Sequence, residues 1–126
     1  MNINKEYIID FLSSLEGYHQ MIKLIHWSTE YKSEHLLTDE IDSAVLTFED
    51  EIAEISMGML KERITSGLKS LISESKNLIN LLTDLENDIL ELKKKINNDV
   101  ACCGLENCCD DFLQKIKKWQ YLATFK

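Results

Sequence analysis

Apolar residues recur at threes and fours along most of the chain, the spacing that gathers them on one side of a helix turning about 100° per residue. From about Asn4 to Ser28 the stripe is Tyr7, Ile8, Phe11, Leu15, Tyr18, Ile22 and Ile25. A break follows around Tyr31–Glu34, with Ser33 as the expected N-cap. A second helix is predicted over about Glu34–Met57, its core stripe being Ile41, Val45, Phe48, Ile52, Ile55 and Met59, with Gly58 and Gly67 as stop signals. The third stripe is the clearest: Leu71, Leu78, Leu82, Leu85, Ile89, Leu92 and Ile96 alternate by fours and threes without a break from Leu78 onward. Asn97, Asn98 and Gly104 end it. A fourth helix is predicted from Asn107 as N-cap, carrying Phe112, Leu113, Ile116, Trp119 and Ala123. Four amphipathic helices without a strand-like alternation predict one all-α domain, a four-helix bundle over residues 1–126.

Composition sharpens this without changing it. Proline is absent and glycine occurs only four times, so little punctuation interrupts a helix. A length of 126 residues suffices for one core and not for two. The net charge of −8 argues against a nucleic-acid partner, which needs a basic surface. The start of the chain has no apolar stretch or cleavage signature of a signal peptide, and no run approaches the ~18 apolar residues of a membrane span. The expectation is a soluble, cytoplasmic protein with no membrane partner.

The polar positions are less easily dismissed. His35, Asp39, Asp50 and Glu54 follow one another at intervals of 4, 11 and 4, which keeps them on one side of the second helix, opposite its core stripe. Acids in that position are ordinarily a solvated face. However, Leu36, Leu46, Ala53 and Met57 share the same side, which suggests a second buried face, and a symmetric copy of the chain is the economical cover. His26 closes the first helix. It lies nine residues before His35, half a rotation out of phase on a continuous helix, so the two imidazoles converge only across a turn or across a dimer interface. Buried acids at such an interface are costly unless protonated or paired with a cation, and a bound metal removes that cost. Mixed imidazole and carboxylate donors suit non-haem iron.

His26-Trp27, then His35 with Asp39, then Asp50-Glu51-Ile52-Ala53-Glu54 resembles the ferroxidase signature of the Dps-type miniferritins, a ferritin-like family. The stretch from Ile25 to Gly58 is also similar to an uncharacterised ferritin-like family of phages and large DNA viruses. The resemblance covers about a third of the chain. It implies a ferritin-like bundle that oxidises Fe(II) with peroxide or oxygen at a homodimer interface, located in a host cytoplasm or a virion if the chain is viral. His26 and His35 are then ligands from one subunit, Asp50 and Glu54 from the other, and Asp39 a further ligand or an orienter of His35. Trp27 is implied as an electron donor beside the site that quenches radicals. Iron is the implied metal, with Zn²⁺ as the other cation that such donors take. The lysine-rich tail that some members use on DNA is missing here.

Other features compete with this reading. A helical structural or interaction protein with a structural or vestigial metal site accounts equally well for the third helix's seam. The link between the second and third helices, about nine residues from Gly58, reaches only ~30 Å extended, which leaves an up-down-up-down bundle and a lengthwise crossover both open. His19 lies on nearly the same face as His26 and reads more readily as a packed or surface histidine than as a ligand. Cys102, Cys103, Cys108 and Cys109 fall within eight residues, enough for Zn²⁺ yet without the usual CxxC knuckles. With a helix starting at Asn107, Cys108 and Cys109 occupy its first turn, where the dipole lowers a thiol's pKa. Inert thiols, a metal site, and disulfides or redox sensing all remain open for them.

Overall fold

The computed structural model describes residues 3–70 and 76–125. Among these it contains four helices, α1 (Lys5–Ser28), α2 (Lys32–Leu60), α3 (Leu78–Ile96) and α4 (Cys103–Leu122), with a 3₁₀ turn at Val100–Cys102 and no strand. Asparagine side chains open two of the helices. Asn4 accepts the Tyr7 N–H and Asn77 accepts the Asn80 N–H, each at 2.8 Å. Each bond satisfies one of the donors that a helix start leaves unpaired.

Several boundaries differ from the sequence expectation. α2 begins before Ser33, which lies inside the helix with its hydroxyl buried and unpartnered rather than capping it. The first turn of α2 is held instead by contacts with the end of α1, described below. Gly58 does not stop α2. A glycine costs only about 1 kcal/mol in a helix interior, and Met59 and Leu60 beyond it pack against the core. The stop comes at Lys61, which takes the left-handed conformation (φ 57°), while the Glu62 N–H returns to the Met57 carbonyl. α4 begins at Cys103, not at Asn107. Asp99 accepts the Ala101 N–H at 3.0 Å and starts the 3₁₀ turn, and Cys102, Leu105 and Cys109 extend the buried stripe toward the chain's start. Leu71, expected at the head of the third helix, lies outside the described residues.

The apolar stripes meet in one continuous core. Leu78, Leu81, Leu82, Leu85, Ile89, Leu92 and Ile96 of α3 are all buried, each worth about 1.5–3 kcal/mol relative to exposure. Phe48 and Phe112 stack at 4.2 Å between centroids, with Phe11 and Trp119 edge-on at their flanks.

Pairwise contacts fix the topology. Phe11 meets Phe48, and His26 meets His35, so α1 and α2 are antiparallel. The Tyr18 hydroxyl donates to Asp88 at 2.6 Å, and Lys95 sits 4.8 Å from the Tyr7 ring centre, so α1 and α3 are antiparallel. The Trp119 indole donates to Glu40 at 2.8 Å and Cys108 faces Glu51, so α2 and α4 are antiparallel. Lys93 pairs with Asp110, and Lys117 with Glu86, which sets α3 against α4 in the same sense.

α2 and α3 therefore occupy opposite corners and run in the same direction, and the chain between them must return along the bundle. Among the described residues of this link (61–77), those around Gly67 and Lys69 lie against α1. The Ile64 N–H donates to Met57 Sδ at 3.3 Å, and the Lys69 N–H donates to Ser13 Oγ at 3.0 Å. Gly67 (φ +92°) passes so close that a Cβ there would meet the Ile9 side chain at 3.4 Å. With α3 starting at Leu78, the link reaches roughly 55 Å extended, ample for the roughly 28 Å length of α3. The up-down-up-down arrangement is excluded.

Candidate functional site

The most ordered polar arrangement lies at the turn from α1 to α2. His26 is in the last turn of α1 and His35 in the first turn of α2. Their rings stack with centroids 3.9 Å apart and planes at 16°. His26 Nδ1 donates to the His35 carbonyl at 2.7 Å, and His35 Nδ1 donates to the His26 carbonyl at 2.8 Å. The buried Thr38 hydroxyl lies 3.1 Å from His26 Nδ1 and donates to the Glu34 carbonyl. A carbonyl only accepts, so the proton of each neutral ring sits on Nδ1 and each Nε2 keeps its lone pair. Metal-ligating histidines usually have this backing, which sets tautomer and ring orientation together.

The acids do not join this pair within one chain. Asp39, Asp50 and Glu54 are exposed on α2. Asp39 follows His35 by one turn, whereas Asp50 lies roughly 22 Å and Glu54 roughly 28 Å farther along the helix at 1.5 Å per residue. Among the described residues, no group of three or more His, Cys, Asp or Glu side chains is placed to hold a metal ion. The structure thus brings His26 and His35 together and leaves Asp50 and Glu54 at the other end of the strip.

The second apolar face is narrower than expected. Leu36 and Leu46 are exposed on α2, and Leu24 and Trp27 are exposed on α1. Ala53, however, packs partly against the core, and the Met57 sulfur is occupied by the Ile64 amide. Trp27 is 68% exposed, with the Lys23 ammonium 5.3 Å from its ring centre.

His19 pairs with Asp42 across the α1–α2 seam. Near it lies Glu49, which sequence reasoning passed over. Burial, together with the charge of Glu16, pushes its carboxyl up to about 7, against a smaller opposing pull from His19. Its position gave a signal: one residue before Asp50, it is rotated by about 100° from the outer strip toward the seam.

The cysteines behave unlike the first-turn reading. All four are free. Cys102 and Cys109 are buried in the core, Cys108 is half-buried, and Cys103 is exposed. Burial pushes Cys109 up to about 12, with Cys108 and Asp110 adding to the shift. Burial and the bond from its thiol to Glu51 push Cys108 up to about 11. Because α4 starts at Cys103, these two residues stand in its second turn, beyond the strongest part of the dipole. Desolvation and neighbouring carboxylates set their acidity instead, and hold them as thiols.

Comparison of the chain with protein-family models, with curated proteins and with solved structures finds no match. No helix among the described residues is long and apolar enough to cross a membrane.

Proposed function

We propose that this chain is a ferritin-like metal-binding protein whose site forms between two copies and oxidises Fe(II). The observation that carries the reading is the reciprocal lock of His26 and His35, which fixes two neighbouring Nε2 lone pairs in one chain. The spacing of the acids supplies the rest. When two α2 helices pair antiparallel about an axis between Ala44 and Val45, Asp39 of one copy lies opposite Asp50 of the other. The same register sets His35 opposite Glu54. One twofold operation thus serves both ligand pairs, as a self-complementary interface requires. The lengthwise α2–α3 link is also the connection a ferritin-like bundle uses.

In such a site the imidazoles and carboxylates hold the substrate Fe(II). Two Fe(II) ions give up one electron each, and one peroxide takes both electrons and two protons to leave two waters. Backbone-anchored imidazoles keep donor atoms in place without reorganisation. In this reading exposed Trp27, next to His26 in the chain, donates an electron to a radical that escapes two-electron reduction.

Anaerobic Fe(II) titration followed by peroxide tests this. Saturable binding and oxidation well above the buffer rate are expected, both lost in the Asp50→Ala/Glu54→Ala variant. Wild-type protein oxidising iron no faster than buffer would sink the enzymatic reading.

A second reading draws on the exposure of Asp39, Asp50 and Glu54 and on the lack of a three-ligand group among the described residues of one chain. In it the chain is a helical interaction protein whose histidine pair serves only to pin the α1–α2 turn. Elemental analysis showing no metal retained by the histidines, with the turn intact, is the result it expects.

A further inference from the structure

Resting on the inter-copy site proposed above, we infer that a divalent cation is the condition for pairing itself: two chains associate through α2 only when metal lies between them. The charge along α2 carries the inference. Of the eight carboxylates from Lys32 to Leu60, Glu40, Asp42 and Glu51 bond to Trp119, His19 and Cys108 within the chain, whereas Asp39, Asp50 and Glu54 stand exposed on the outer strip. Lys32, at the helix's very start, is its sole basic residue apart from His35. An interface about a twofold axis presents the same patch to itself, so it can neutralise its acids only if that patch carries both signs. This one does not. The register that sets His35 against Glu54 also brings Asp39 against Asp50 twice in each dimer, and like charges facing one another oppose association. The net charge of −8 on each chain adds a longer-range repulsion.

The apolar surface available to offset this is small. It consists of Leu36 and Leu46 on α2 with Leu24 and Trp27 on α1; Leu24 and Trp27 line one depression, and Leu36 lines another with Leu122 and Phe125. The nearby Lys23 is drawn over the Trp27 ring. What the face does hold is two prepared nitrogen donors at one end of the strip and two carboxylates at the other. A divalent cation placed between them converts the opposed acids from a repulsive pair into ligands and links the two copies. Since the cation binds the pair of chains better than either chain alone, its binding and the pairing must favour each other by the same factor.

The test measures mass in solution by light scattering and sedimentation across a protein dilution series, in EDTA and in Zn²⁺, with bound zinc quantified in parallel. Zinc is redox-silent and accepts the same donors. Wild type is expected to be monomeric in EDTA and dimeric in zinc, the dimer's dissociation constant falling by about 5- to 150-fold. His35→Ala keeps the acids and removes a donor. It should remain monomeric in both conditions, and it separates binding at the strip from binding at the cysteines. Asp39→Asn/Asp50→Asn removes the repulsion along with the ligands. It should pair more tightly than wild type in EDTA and no longer respond to zinc.

A wild-type dimer of equal strength in EDTA and zinc, with zinc bound in a His35-dependent way, overturns the inference and leaves the site intact. A monomer that binds zinc through His35 overturns the intersubunit site and the inference with it. Zinc uptake no greater than in His35→Ala overturns both.

Discussion

The seam of α3 and the outer strip of α2 are both regular helical stripes, yet they specify different things. The α3 seam is apolar, and every one of its seven core positions is buried within the chain itself. Burial of such residues is favourable against almost any apolar surface, so the stripe predicts its own fate. The strip on α2 is polar, with His35, Asp39, Asp50 and Glu54 spaced as regularly. A carboxylate is stable in water and stable in a metal site, and periodicity does not choose between them. A hydrophobic stripe reports where it goes, and a polar stripe only that it shares a face.

Core truncation separates the two stripes most sharply. Leu85→Ala in the α3 seam should cost about 2–5 kcal/mol of unfolding free energy in urea. Leu36→Ala on the outer face of α2 should stay within about 0.5 kcal/mol. Equal losses at the two positions would mean that the outer face is already covered in the isolated chain.

A smaller effect concerns Glu49, between the two faces. Its folded-state pKa of about 7 lies above the ordinary carboxyl value of 4.5. Between those two values the folded protein holds the proton more tightly than the unfolded chain, so stability falls as pH rises through that window. Glu49→Gln should therefore stabilise the protein at pH 8, by on the order of 1 kcal/mol once solvent screening of a half-exposed group is allowed for. The gain should vanish below about pH 4.5. A gain independent of pH would show that packing, not ionisation, is responsible.

The caps give a contrast of similar or lesser size. Asn77→Ala removes the bond that starts α3 and should cost about 1 kcal/mol in thermal or urea unfolding. Ser33→Ala should cost nothing, because that hydroxyl is inside α2, buried and unpartnered. A loss at Ser33 equal to that at Asn77 would restore Ser33 as the cap.

Much of the fold was legible. The stripes of all four helices, the start of α1, the end of α3 and the all-α class follow from spacing, because period and burial are coupled by geometry alone. Boundaries failed where a tertiary contact overrode a local signal. Gly58 reads as a stop, but Met59 and Leu60 have core to pack against. Asn107 reads as a cap, but Asp99 and the burial of Cys102 and Leu105 start the helix earlier. At the site, the pairing of His26 with His35 was expected only as a convergence across a turn or across a dimer interface. The exchange of Nδ1 bonds with each other's carbonyls depends on the backbone path of that turn, which side-chain periodicity does not describe. The thiols show the same limit, since a first-turn dipole lowers a pKa and burial raises it, and burial was the larger effect.

Residue spacing alone is enough to show that the chain is helical, which side of each helix faces the core, and that one imidazole and three carboxylates line the outside of α2. These follow from 3.6 residues per turn and the preference of apolar groups for burial. The packing of the helices is what sets α2 and α3 parallel, brings the link against α1 at Gly67 and Lys69, and locks His26 to His35 while Asp50 and Glu54 stay apart. Direction and distance between helices depend on where the connecting chain travels, which no single-helix pattern encodes.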